Sequence, residues 1–324
     1  MLVDCQSHVF PIAYAEILTQ NTGWIKTIRI GTDYRVSYGD FQSFTLTTSA
    51  YSLERKLTDM DKAGIDISVL SVNMPGPELL DSDLSIKGAQ VCNDYIASLT
   101  ELYPDRFAGL ACLAWQDIPA ALAELDRAIG KLDLKGVMLY SHIGCGPVDE
   151  PRYGPIYERI ETLDVPIVLH PCVPKWGGEI QDNSMIPMVG LMCDQSFAML
   201  RLMLSGVMER YPALKIIQPH CGGILPYLWG RIEHQAKVMG RGVDHISQSL
   251  SAFYDRVYLD TVSPSALTLR YAYDFQGADH LIFGSDHPWV EPSLLADMLR
   301  ALEVPQVDKN KMLGGNAQDL FRLT

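Results

Sequence analysis

The sequence predicts a single α/β domain over residues 1–324, folded as one (β/α)8 TIM barrel with a hairpin inserted after strand 1 and helices at the C-terminus. Eight short apolar segments, each suited to a strand buried on both faces, alternate with helical segments. Several strands end in histidine or aspartate, which is typical of a barrel whose active site lies at the carboxyl ends of its strands. No glycine-rich phosphate motif follows the first strand, so a doubly wound open sheet is disfavoured.

The first predicted strand covers residues 2–6. In the irregular stretch 12–50, the alternating segments IRI and YRV flank a glycine, and this pattern predicts the inserted hairpin. A helix is predicted over residues 52–64, because Gly64 suits the C-cap position. Residues 67–72 then form the second barrel strand.

The rest of the chain alternates regularly. Further strands are predicted at residues 107–113, 136–140, 167–170, 215–220, 257–260 and 281–284. Helices are predicted at residues 86–102, 118–129, 153–163, 188–209 and 264–273, with a further one ending at residue 231. Helical segments at 294–302 and 316–323 close the chain. This count gives eight strands, as one barrel requires.

Composition narrows the choice of partners and compartment. Hydrophobic residues make up 48% of the chain and charged residues 20%, as in an ordinary globular protein. The net charge of −13 disfavours nucleic acid or an anionic membrane as a partner. The seven cysteines have no paired spacing and suit a reducing compartment. No signal-peptide pattern and no apolar run of about 18 residues is present, so the expected location is the cytoplasm.

Four strands end in residues that bind metals. Gln6 and His8 lie two residues apart in DCQSHVFP, so their side chains point to one face of a strand. Later strands end at His170 in PIVLHP, at His220 in KIIQPHCGG and at Asp286 in HLIFGSDHP. A single histidine at a strand end is usually structural. Because these positions share one rim of the barrel, together they indicate a divalent metal site.

Five segments carry a resemblance to a known family. They are VDCQSHVFP, KGVMLY with the following PRYGPIYERI, VPIVLHP, SGVMERYPALKIIQPHCGGILPYLWGRIEH, and LIFGSDHP with a later GNAQDLF. In this order and spacing the sequence resembles the amidohydrolase-related family of the amidohydrolase superfamily. That family includes aminocarboxymuconate semialdehyde, resorcylate and carboxyvanillate decarboxylases, together with some hydrolases and hydratases. The resemblance runs from the first strand to the last helix, and HCGGILP and FGSDHP are its most specific parts.

The resemblance implies a ligand set with one departure. Its metal ligands correspond to His8, His170 and Asp286, whereas Gln6 stands where the family has histidine or glutamate. Gln6 either binds the metal through its amide oxygen or only forms hydrogen bonds, and both interpretations stay open. Zinc is the first expectation. Two histidines and a carboxylate also suit iron(II) or manganese, which a harder amide ligand favours.

The resemblance also implies catalytic and binding roles. His220 and Asp286 correspond to residues that move a proton during the reaction. Arg231 matches an arginine that reaches the substrate carboxylate across a dimer interface, which predicts a homodimer. Independently of the resemblance, His287 beside Asp286 either lines the pocket or only forms a hydrogen bond at its rim. Arg35 in the inserted hairpin either binds the substrate carboxylate or is a solvated surface residue.

Four other residues lie near these positions in the sequence. His142 and Cys145 belong to the loop after strand four, which faces the substrate in barrels of this kind. Cys172 and Cys221 follow the predicted site histidines and either approach the pocket or lie buried as inert thiols.

The first functional hypothesis is a metal-dependent lyase that decarboxylates a small unsaturated or aromatic carboxylic acid. The alternative is a metal-dependent hydrolase of a C–O or C–N bond, since one ligand set supports both reactions. Two further alternatives are a non-haem metal oxygenase that uses the two histidines and one carboxylate, and a non-catalytic subunit. The sequence does not identify the substrate.

Overall fold

The computed structural model describes residues 1–144 and 146–323. Its strands are β1 (Val3–Val9), β2 (Ile25–Ile30), β3 (Asp33–Tyr38), β4 (Gln42–Leu46), β5 (Ile67–Val72), β6 (Phe107–Ala111), β7 (Gly136–Tyr140), β8 (His142–Ile143), β9 (Gly146–Pro147), β10 (Ile167–His170), β11 (Ile216–Gln218), β12 (Val257–Asp260) and β13 (Leu281–Ile282). Eight of them pair in parallel in the order β1-β5-β6-β7-β10-β11-β12-β13. The predicted barrel is confirmed.

Helices surround this ring of strands. They are α1 (Ile12–Leu18), α2 (Leu53–Ala63), α3 (Ser82–Leu102), α4 (Ile118–Gly130), α5 (Gly154–Leu163), α6 (Leu191–Leu204), α7 (Val207–Arg210), α8 (Leu225–Glu233), α9 (Leu250–Tyr254), α10 (Ala266–Gln276), α11 (Pro292–Ala301), α12 (Gln306–Asn310) and α13 (Asn316–Phe321). Within residues 1–144 and 146–323, we find no helix with the length and hydropathy of a membrane span.

The ring closes between β1 and the segment that follows β13. The Cys5 amide donates to the Phe283 carbonyl at 2.9 Å, and the Asp286 amide donates to the Gln6 carbonyl at 2.9 Å. The His8 amide donates to the His287 carbonyl at 2.8 Å. These bonds fix the start and the end of the barrel against each other.

Strand β1 is longer than predicted and irregular. It extends to Val9, so Gln6 and His8 lie inside the strand rather than at its end. Its pairing with β5 shifts between Asp4 and Ser7, which marks a β-bulge. Bulges commonly re-aim side chains next to active sites.

The insertion after β1 is a three-stranded antiparallel sheet, β2-β3-β4. The predicted hairpin corresponds to β2 and β3, whereas β4 lacks the clear alternation that would have predicted it. Tyr34, Val36 and Tyr38 are buried on one face of β3, and Arg35 is exposed on the other.

Two helix predictions have different outcomes. Helix α2 ends at Gly64 in the left-handed conformation (φ 68°), as predicted. The long helix predicted over residues 188–209 is wrong, because the chain is divided into α6 and α7. Gly206 separates them with φ 77°, a conformation that a continuous α-helix does not contain.

Candidate active site

Three predicted metal ligands converge at the carboxyl end of the barrel. The ligand atoms of His8, His170 and Asp286 lie within 4.8 Å of one another. His8 Nε2 is 3.0 Å from Asp286 Oδ1, and the two histidine rings meet edge to face with centroids 4.9 Å apart. Both histidines are buried. The arrangement suits a divalent ion with nitrogen and oxygen ligands.

Each histidine is held through its other ring nitrogen. His8 Nδ1 is hydrogen-bonded to Ser71 Oγ at 2.9 Å, and His170 Nδ1 donates to the Pro171 carbonyl at 2.7 Å. Such partners fix the ring orientation and leave Nε2 for a metal. Burial, followed by the proximity of His8, lowers the pKa of His170 to about 3. His170 is therefore the neutral imidazole that metal binding requires.

Gln6 lies beside this cluster and has an unsatisfied oxygen. Its Nε2 donates to Asp286 Oδ1 at 3.4 Å. Its Oε1 is buried and has no hydrogen-bond partner among residues 1–144 and 146–323. Leaving a buried carbonyl oxygen unpaired costs about 1–3 kcal/mol. A divalent cation among these ligands would satisfy that oxygen, so the donor set fits a metal.

His220 and Asp286 form a second functional pair. His220 Nε2 lies 3.8 Å from Asp286 Oδ2, and Gln195 Nε2 is 3.4 Å from His220 Nδ1. Burial alone would lower the pKa of His220, but the neighbouring Asp286 carboxylate raises it. Burial would raise the pKa of Asp286, but the neighbouring His220 and the hydrogen bond with His8 hold it far below its usual range. The geometry therefore favours a protonated His220 beside an ionised Asp286.

Asp260 positions His220 and was not singled out from the sequence. Its Oδ1 accepts hydrogen bonds from the backbone amides of His220 at 2.6 Å and Val262 at 3.0 Å. Burial raises the pKa of Asp260 to about 6. It ends β12 just as His170 ends β10, so the same rule about strand ends would have found it.

The backbone at the site is strained. His220 and Cys221 have φ values of 56° and 53°, and Asp286 has φ 58°. Residues other than glycine seldom adopt this left-handed region, and such strain concentrates at functional sites.

The ligand cluster lies at the base of a cavity of about 670 Å³. Most of its wall is apolar: Phe44, Met74, Pro171, Val173, Ile186, Pro187, Leu191, Met192, Val262, Pro264, Trp289 and Val290. Gln42, Asn73, Ser263 and Thr268 add uncharged polar groups. Within residues 1–144 and 146–323, no lysine or arginine lines it. Phe44 of the inserted sheet meets Trp289 edge to face, with centroids 6.4 Å apart, and helps to close the cavity.

The structure does not bring His287 or Arg35 to this cavity. His287 is 3% exposed and turns outward, with Nδ1 3.0 Å from Lys56 Nζ and Nε2 3.2 Å from Asp59 Oδ2. Arg35 is exposed on the outer face of β3. Arg231 is also exposed, on α8 and outside its own cavity.

Three of the four other candidates lie away from this cavity. Cys172 and Cys221 are buried and do not line the cavity above. His142 borders a different cavity, beside α5 and α6. Cys145 lies outside the described residues.

Fold and site together define a barrel enzyme of the metal-dependent type. The chain belongs to the amidohydrolase family, whose model matches residues 3–323. The family membership predicted from the sequence is therefore confirmed.

Two relatives and one solved structure indicate the reaction type. A gamma-resorcylate decarboxylase of Polaromonas sp. (strain JS666 / ATCC BAA-500) is 32% identical over 284 residues, covering 83% of this chain and 87% of that protein. A 6-methylsalicylic acid decarboxylase of Penicillium expansum is 27% identical over 291 residues, covering 87% and 89%. The crystal structure of a dihydroxybenzoic acid decarboxylase from Polaromonas sp. JS666, with bound manganese and the inhibitor 2-nitroresorcinol, has a TM-score of 0.84 at 28% identity, covering 99% and 97%. These relatives are decarboxylases, and one holds a divalent metal.

Proposed function

We propose that the protein is a metal-dependent decarboxylase of a small aromatic or unsaturated acid with one carboxylate and otherwise uncharged substituents. One observation carries the proposal: the metal-type cluster and the His220–Asp286 pair meet at the base of an apolar cavity. The decarboxylase relatives support the same reaction.

The metal would be held by His8, His170 and Asp286, with Gln6 Oε1 as a fourth ligand. When bound, a divalent ion supplies positive charge to hold the substrate carboxylate and to stabilise the electron pair left when carbon dioxide departs. Two of these four ligands are oxygens, so manganese is favoured here. A solved neighbour contains manganese, which supports this choice. Zinc, the first expectation from the sequence, stays the alternative.

His220 and Asp286 would manage the proton. Loss of carbon dioxide leaves the electrons of the broken C–C bond on carbon, and a proton must replace the carboxyl group there. His220 carries that proton because Asp286 raises its pKa, and Gln195 holds its ring in place. After protonating the carbon, His220 regains a proton from solvent.

The cavity wall favours a substrate with a single charge. A second carboxylate would lie against apolar side chains, with no lysine or arginine from the described part of this chain to pair with it. Burying an unpaired charge costs several kcal/mol. Hydroxylated or alkylated benzoates with one carboxylate fit this wall, whereas dicarboxylates do not.

The proposal is tested with manganese-loaded protein in D₂O, using gamma-resorcylate, 6-methylsalicylate and a hydroxyisophthalate as the dicarboxylate control. We expect release of carbon dioxide from a monocarboxylate, and one deuterium at the carbon that lost it. Cleavage of ester or amide probes without carbon dioxide would instead support the hydrolase. Turnover that requires oxygen would support the oxygenase, and metal binding without any turnover would support the non-catalytic subunit.

We also propose a homodimer in which Arg231 of each subunit reaches the other subunit's cavity. Tyr227 lies one helical turn before Arg231 on α8 and is 84% exposed, and Leu267 on α10 is 80% exposed; we infer that the two form an apolar patch near Arg231. The Tyr271 hydroxyl donates to the Pro226 carbonyl at 2.9 Å and ties α10 to α8. Thr268 of α10 lines the cavity, so this patch adjoins the cavity mouth. A partner's arginine would pair with the one substrate carboxylate that the metal also holds, so the rest of the apolar wall would still offer no partner for a second charge.

A further inference from the structure

A second cluster of metal-type ligands lies apart from the site described above. We propose that His142, Cys172 and Asp194 form a separate binding site for a thiolate-seeking divalent ion such as zinc. The three residues come from β8, the segment after β10, and the first turn of α6. Their ligand atoms lie within 4.8 Å of one another. None of the three belongs to the cluster around His8.

The distances suit tetrahedral coordination. His142 Nδ1 is 3.1 Å from Cys172 Sγ and 3.3 Å from Asp194 Oδ2. Zinc bonds of about 2.0–2.3 Å at tetrahedral angles place neighbouring nitrogen, sulfur and oxygen ligands about 3.3–3.6 Å apart. Both distances from His142 are therefore within about half an ångström of those that a bound ion requires.

The surroundings already orient these ligands. Cys172 and Asp194 are 0% and 2% exposed. The Ser141 hydroxyl donates to Asp194 Oδ2 and accepts from the Cys172 amide at 2.9 Å, so one side chain links two ligands. Partners of this kind are what hold ligands in established metal sites. A buried thiolate and carboxylate would be costly alone, but a divalent ion neutralises both.

An ion can reach the cluster from solvent. His142 and Asp194 line a cavity of about 1,210 Å³, next to Ser141. The His142 side chain is 21% exposed. Three protein ligands leave the fourth tetrahedral position for a water molecule. Cys172 loses its thiol proton to solvent when it binds the ion.

The two clusters should prefer different ions. The cluster around His8 offers nitrogen and oxygen, whereas the second cluster includes a sulfur. Thiolates favour zinc over manganese, so protein already loaded with manganese should bind one further zinc or cobalt ion per chain.

Cobalt(II) is the probe that tests the site, because a cobalt–thiolate bond produces a charge-transfer absorption in the near ultraviolet. We expect manganese-loaded protein to develop this absorption with one cobalt per chain. One equivalent of zinc should abolish it, and excess manganese should not. Cys172→Ser should lose the absorption, whereas Cys193→Ser, which alters the residue beside Asp194, should keep it.

Absence of the absorption in folded wild-type protein, or its persistence in folded Cys172→Ser, would overturn the site. Displacement by manganese as effective as by zinc would overturn the proposed selectivity. If Cys172→Ser does not fold, His142→Gln and Asp194→Asn serve instead, and each should weaken cobalt binding at least tenfold. Unchanged cobalt affinity in both folded variants would also overturn the proposal. None of these readouts depends on decarboxylase activity.

Discussion

His8 Nε2 lies 3.0 Å from Asp286 Oδ1, although 278 positions separate the two residues in the chain. The contact is made where β1 meets the segment after β13, through the same backbone bonds that close the ring. Closing the barrel and assembling the ligand cluster are therefore one structural event. Substitutions where β1 meets the segment after β13 are expected to affect metal binding and stability together.

His170→Ala should remove both the metal and the activity. The imidazole of His170 is one of three converging ligands, and its low pKa keeps it ready to bind. Metal content of the purified protein, measured by mass spectrometry, should fall to a small fraction of wild type, with turnover reduced at least ~100-fold. His234→Ala, at an exposed position on the barrel exterior, is the matched control and should retain both. Full metal content in His170→Ala would show that the ion binds elsewhere.

Gln6→His should shift the metal preference towards zinc. The buried Gln6 Oε1 lacks a partner in the described structure, and an imidazole there would restore the ligand that the family usually has. Competition between zinc and manganese, followed by metal analysis, should show a higher zinc share than in wild type. Gln6→Asn keeps the amide but shortens the side chain, so it should weaken the binding of both zinc and manganese. Identical metal ratios in all three proteins would place Gln6 outside the ligand set.

The sequence predicted that the candidate ligands converge because they occupy equivalent positions in a repeating pattern. His170 ends a barrel strand, and Asp286 follows the last one closely, so parallel strands bring them to one rim. His8 shares the rim because ring closure fixes β1 against the segment around Asp286. The single-domain organisation over residues 1–324 and the cytoplasmic location stay predictions.

Details that depend on backbone direction were not predictable. Asp286 adopts φ 58°, and the next residue, His287, turns towards Lys56 rather than into the cavity. A sequence shows that two residues are adjacent, but not that a left-handed residue redirects the chain between them. The hydrogen bond from the His220 amide to Asp260 joins two neighbouring strands, so it too appears only in the folded protein.

His220→Asn should separate catalysis from metal binding. Asparagine retains a polar group but cannot carry the proton that His220 holds beside Asp286. Turnover should fall at least ~100-fold, the usual scale for loss of a general acid or base, while the metal content stays near wild type. Solvent exchange at the product carbon gives a second readout. If the Asn variant stays active, Asp286 or solvent supplies the proton that replaces the carboxyl group.

Asp260→Asn should make stability less dependent on pH. Burial raises the pKa of Asp260 from about 4 in the unfolded chain to about 6 in the folded one. The folded state therefore favours the protonated carboxyl. Ionised Asp260 lowers the free energy of unfolding. This destabilisation is absent below about pH 4, grows as the pH rises to about 6, and is constant above that pH. Relative to wild type, the free energy of unfolding of Asp260→Asn should rise between pH 4 and 7, by on the order of 2–3 kcal/mol.

Urea denaturation of both metal-free proteins across this range measures that difference. Asn keeps the oxygen that accepts from the His220 amide, so the backbone bond at 2.6 Å is retained. Asp297→Asn, whose side chain is 74% exposed in wild type, is the control and should show a flat difference. A flat profile for Asp260→Asn as well would mean that the carboxyl titrates alike in both states.

Arg231→Ala and His170→Ala should rescue each other if the proposed dimer forms. Arg231 is exposed on α8, outside its own cavity, beside the apolar patch of Tyr227 and Leu267. If it acts across a two-fold interface, one of the two sites in a mixed dimer combines an intact ligand cluster with an intact arginine. Each variant alone should be nearly inactive. After the two are dissociated and mixed, about half of the dimers contain one chain of each variant, and one of the two sites in such a dimer is complete. Activity should therefore recover to at most about a quarter of the wild-type value. Arg241→Ala, at another exposed position, should stay active without a partner. A monomer by light scattering, or no recovery in mixed dimers isolated with two different tags, would contradict the proposed assembly.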